Sequence, residues 1–100
     1  MESSLKHRIT KCVEEIGGIL KPLAYEPHSS YFESILQRIN NGEDMNSIVE
    51  SILKIYRGAG SFNDLVLSSP GNFYRQENLD LDNLRSELHR LCVEYVEASL

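Results

Sequence analysis

Leu81, Leu84, Leu88, Leu91 and Tyr95 recur at alternating three- and four-residue steps, which commits the end of this chain to an amphipathic helix with a single apolar stripe. Such a helix gains most of its stability from having that stripe covered, so the remaining residues must supply a matching surface. They do so three times. Leu5, Ile9, Cys12, Val13, Ile16, Ile19 and Leu20 predict a first helix, capped by Ser3 or Ser4 and ended by Pro22. Phe32, Ile35, Leu36 and Ile39 predict a second, opened by the capping box Ser30-Tyr31-Phe32-Glu33 and stopped at Asn40-Asn41-Gly42. Met45, Ile48, Val49, Ile52, Leu53 and Tyr56 predict a third, starting at Asp44 or Asn46 and ending at Arg57-Gly58. The last helix is expected from about Asp80 to Ala98. With 100 residues and 41% hydrophobic content, the expectation is one all-α domain over residues 1–100, a bundle of four main helices.

Gly17-Gly18 interrupts the first stripe, at a cost of about 1 kcal/mol per glycine relative to alanine, and marks a place for close packing or a bend. Residues 68–79 carry no helical period and predict a loop around the Pro70-Gly71 turn, with Phe73 and Tyr74 either pinning it to the core or presenting a contact surface.

Gly58 to Leu67 is the stretch that helical periodicity does not account for. Gly58 suits a left-handed helix end, Gly60 a chain reversal, and Ser61 with Asp64 the cap of a short helical turn. Leu65, Val66 and Leu67 would then plug this corner into the core, leaving Asn63 and Asp64 held at its surface. A phosphate loop is excluded, because no Gly-Lys-Ser/Thr follows and the glycines follow a helix, not a strand.

Charge narrows the partners. The formal net charge is −5, and residues 59–100 hold most of it, with seven acids against three bases. Clustered lysine and arginine are what nucleic-acid affinity needs, so a basic protein partner fits better. There is no run of apolar residues long enough to span a bilayer and no signal-peptide pattern, which leads us to expect a soluble cytoplasmic chain with Cys12 and Cys92 buried and reduced. Neither a paired Cys-x-x-Cys nor a paired-His spacing announces a metal, and no nucleophile elbow or Cys-His signature announces a hydrolase. No cofactor is expected. Asp64, Phe73, Tyr74, Glu77, Asp80 and Asp82 remain as the candidate partner-binding set, combining aromatic anchors with charges that steer association.

The segment Tyr56-Arg57-Gly58-Ala59-Gly60-Ser61-Phe62-Asn63-Asp64-Leu65-Val66-Leu67 resembles the hallmark of small bacterial helical proteins with a Gly-x-Gly-Ser-Phe-Asn-Asp core. In size and acidity the chain also resembles immunity proteins of toxin–immunity pairs, including those of contact-dependent growth inhibition. That second resemblance implies a non-enzymatic inhibitor that binds a toxin domain, often a basic nuclease. The alternative expectation is a self-associating structural or adaptor protein, a homodimer formed through the Leu81 to Tyr95 seam.

Overall fold

The computed structural model describes residues 4–57 and 62–100, and of Asn72 and Phe73 the backbone alone. The glycine and cap expectations at Gly58, Gly60 and Ser61 therefore lie outside the described residues.

Helix α1 runs Leu5–Leu20, and the Ser4 hydroxyl caps it by accepting the His7 N–H at 3.1 Å. Its inward stripe is Ile9, Cys12, Val13, Ile16 and Leu20. The helix passes through Gly17-Gly18 without a break, and a Cβ at either position would meet nothing within 4 Å. Close packing within the chain is thus not the reason for these glycines.

Helix α2 spans His28–Asn40, three residues earlier than the capping box predicted. Ser30 lies inside the first turn and caps nothing. The carboxylate of Glu26 takes the capping role, accepting from both the backbone N–H and the hydroxyl of Ser30. Asn41 follows the helix, and Gly42 at φ +77° turns the chain away. Helix α3 covers Met45–Lys54, shorter than expected because Ile55, Tyr56 and Arg57 tighten into i→i+3 bonds.

A single 3-10 turn, Phe62–Asp64, comes next, the short turn anticipated after Gly60. Two-residue strands β1 (Ser68–Ser69) and β2 (Asn72–Phe73) pair antiparallel, Ser68 with Phe73 and Ser69 with Asn72. Pro70 and Gly71, the latter at φ +75°, form the tight turn between them. Helix α4 then extends over Arg75–Ala98 and begins five residues before the expected start at Asp80. The predicted long loop is therefore a small hairpin followed by a helical turn. Glu77, in that first turn, favours the positive helix end.

Four helices form one all-α domain: α1 packs on α2 and α4, and α3 packs on α4. Leu81, Leu88 and Leu91 are fully buried in this core with Ile9, Ile16, Ile48 and Ile52. Three of the five seam residues are thereby covered within the chain, while Leu84 and Tyr95 are half-buried. Cys12 and Cys92 are free thiols in the same interior, and burial pushes them up to about 11 and about 12 respectively. Among the described residues, no helix is long and apolar enough to cross a membrane.

Candidate functional site

Phe62 is the hub around which the corner after α3 is built. Its side chain is fully buried, with the rings of Phe32, Tyr56 and His28 at 5.0, 5.5 and 5.7 Å between centroids. Its N–H donates to the Ile55 carbonyl at 3.0 Å, fastening the corner to the end of α3. Above the ring lies the guanidinium of Arg85, 5.8 Å from the centroid and with only 11% of the side chain exposed. The same nitrogen, Nη1, donates to the carbonyls of Phe62 (2.8 Å) and Leu65 (2.9 Å), while Nη2 pairs with Asp82. Tyr56 closes the arrangement by donating its hydroxyl to the Arg85 carbonyl at 2.7 Å. Burial raises the Tyr56 phenol above its usual range and lowers the His28 imidazole below its own.

The backbone beyond Phe62 is irregular, so its polar groups need partners that no helix or sheet supplies. Side chains provide them. The Asn78 amide accepts the Leu67 N–H at 2.8 Å and donates to the Leu67 carbonyl at 2.9 Å, imitating a neighbouring strand. It also donates to the Tyr74 carbonyl at 2.7 Å, locking the start of α4. The phenol of Tyr25 does the same for Ser68, bonding both its N–H and its carbonyl. Arg85, Asn78 and Tyr25 together fix residues 62–68.

Of the apolar triplet, Leu67 is buried and Leu65 half-buried, whereas Val66 is 56% exposed, contrary to the expectation that all three plug the core. Leu79, next to Asn78, is 53% exposed. The bonds between Leu67 and Asn78 tie the chain next to Val66 to the turn of α4 that carries Leu79. Sequence reasoning missed Val66 and Leu79 as a pair. The available signal was Leu79 falling outside the α4 stripe.

The six predicted partner-binding residues do not make one continuous face. Asp64 ends the 3-10 turn and is exposed. Asp82 is exposed but tied to Arg85. Glu77 and Asp80 sit on α4, not in a loop ahead of it; Asp80 lies about 60° around the helix from Glu77, and Asp82 about 140° from Glu77 on the other side. Asp80 therefore leans toward α1, where it shares a groove with Glu15 and Ile19, and accepts from Gln76 at 2.9 Å. Tyr74 is half-buried with its hydroxyl 3.3 Å from that of Ser69, so it pins the hairpin. The backbone of Phe73 pairs with Ser68, and the contact expected of its side chain lies outside the described residues.

A depression of about 280 Å³ beside the clamp is lined by Tyr56, Asn63, Arg85, Ser86 and His89, with the Tyr56 and His89 rings 4.9 Å apart. Both Nη1 hydrogens of Arg85 are engaged by carbonyls, which makes this arginine a structural clamp for the corner. Among the described residues, no group of three or more His, Cys, Asp or Glu side chains is arranged to hold a metal ion.

No curated protein and no solved structure matches the chain. A family model does match, over residues 24–75, just over half of the sequence: it takes in α2, α3, the clamped corner and the hairpin. The chain belongs to the family described as a domain of unknown function, DUF6966.

Proposed function

We propose that this chain is a non-enzymatic protein-binding module, most concretely a cytoplasmic immunity protein that neutralises a basic bacterial toxin domain. One observation carries the reading: exposed Val66 lies on the segment that Asn78 and Arg85 fasten to α4, two residues after exposed Asp64, and exposed Leu79 follows Asn78 in the chain. Apolar anchors rimmed by charge are what a protein interface concentrates its affinity in, with the rim steering the encounter. The formal charge of −5 favours a basic partner. Corner rigidity matters as well, because a backbone already fixed by Arg85 and Asn78 loses little freedom on binding.

The test is to co-express the chain with the product of the adjacent reading frame and to follow both growth and complex formation. Rescue of growth with recovery of a one-to-one complex is expected, and Leu79→Arg should abolish both while the variant stays folded. A folded wild-type chain that neither rescues nor binds would sink the immunity reading. Binding that survives Leu79→Arg unchanged would remove the corner as its face.

A further inference from the structure

α1 and α4 run antiparallel, since Arg8 near the start of α1 pairs with Glu87 in the middle of α4 at 3.4 Å while Ile19 near the end of α1 adjoins Asp80 near the start of α4. Between them two adjoining depressions, of about 440 and 430 Å³, share Glu15 and Leu84 and so make one continuous groove. Half-buried Leu84 and Ile19 form an apolar part of its floor. Its charges are sorted by position. Lys11 stands at one end, and Glu15 and Asp80 toward the other. Lys11, Glu15 and Asp80 are exposed and enter no ion pair among the described residues, whereas Glu87 is paired with Arg8 and Arg90.

A face that is cationic at one end and anionic at the other is complementary to itself when rotated by half a turn about its middle. That is the requirement of a two-fold interface. We propose that the α1/α4 groove is the contact between two copies of this chain, related by a two-fold axis passing between the levels of Lys11 and Glu15. In that arrangement Lys11 meets Glu15 of the second copy, His7 meets the level of Ile19 and Asp80, and the two Leu84 side chains come together near the axis. The face from His7 to Ile19 is about 18 Å long at 1.5 Å per residue and two helices wide. It covers well under the roughly 800 Å² per partner of a tight complex, so the dimer is weak and reversible. It uses neither Val66 nor Leu79 and does not depend on the toxin reading.

Sedimentation equilibrium of the full chain across roughly 10 µM to 1 mM, the range suited to a weak complex, tests this directly. The wild type should pass from monomer to dimer. Lys11→Glu and Glu15→Lys should each weaken association at least tenfold, and an equimolar mixture of the two single variants should restore it, as should the double exchange K11E/E15K. Glu15→Lys lowers the net negative charge, so simple relief of repulsion predicts the opposite result for that variant. A wild type that stays monomeric throughout, single variants that associate as well as wild type, or a mixture no better than its components would each overturn the proposal. Both positions are exposed, and circular dichroism of each variant checks that it is folded.

Discussion

The side-chain amide of Asn78 holds both backbone polar groups of Leu67, accepting from its N–H at 2.8 Å and donating to its carbonyl at 2.9 Å. One side chain thereby stands in for a strand that the fold does not contain. Asn78→Ala would leave these groups unpaired in a half-buried position, at a cost of about 2–3 kcal/mol. Asn78→Asp keeps the acceptor but loses the donor, and should fall between wild type and alanine. Urea unfolding monitored by circular dichroism measures both; an alanine variant within about 0.5 kcal/mol of wild type would mean that water replaces the amide.

Arg85 extends the same logic to Phe62 and Leu65, whose carbonyls share its Nη1. Lysine retains the charge but lacks the planar fork that reaches two carbonyls and the Asp82 carboxylate together. Arg85→Lys should therefore destabilise by about 1–2 kcal/mol, and Arg85→Ala by about 3 kcal/mol through unpaired carbonyls and lost packing on the Phe62 ring. The check is the denaturation midpoint at constant m-value. Equal stability of the lysine variant and wild type would contradict the clamp.

Gly17 and Gly18 offer the reverse case. Their backbone is helical and a Cβ at either would meet nothing within 4 Å, so alanine brings helix propensity without a clash. Each substitution is expected to stabilise by about 0.5–1 kcal/mol, nearly additively. A calorimetric midpoint that rises for both variants would support this. A fall would show that the groove beside them, floored by Val13, Phe32 and Leu36, tightens in solution.

His28 sets a pH dependence. Burial holds its imidazole below the ordinary 6.5, so the folded chain binds fewer protons than the unfolded chain between those two values. Its contribution is complete above 6.5, declines as pH falls through that value, and stops declining below the folded pKa. Glu87 acts in a lower window: Arg90 and then Arg8 hold its carboxyl below 4.5, so its contribution is present above 4.5 and is lost as pH falls below it. Unfolding free energies measured from about pH 8 to pH 5 should slope downward in wild type, and the slope should flatten in His28→Gln. An unchanged slope in that variant would assign the dependence to other groups.

The sequence by itself determined the four helices, their order and most of their inward residues. Each helical stripe is a local pattern repeating every three or four positions, so Ile9 to Leu20 or Leu81 to Leu91 can be read without knowing what covers them. It also located the short turn at Phe62–Asp64 and the reversal at Pro70-Gly71. Only the tertiary structure decided where α4 begins, which of Leu65, Val66 and Leu67 faces inward, and how the acids divide among separate surfaces. The reason is sequence distance. The bonds that fix the corner join Leu67 to Asn78 across 11 positions, Phe62 to Arg85 across 23 and Ser68 to Tyr25 across 43, and no local period signals them. Polar residues such as Asn78 and Arg85 look like ordinary solvent-facing positions until the irregular backbone that needs their hydrogen bonds is folded against them.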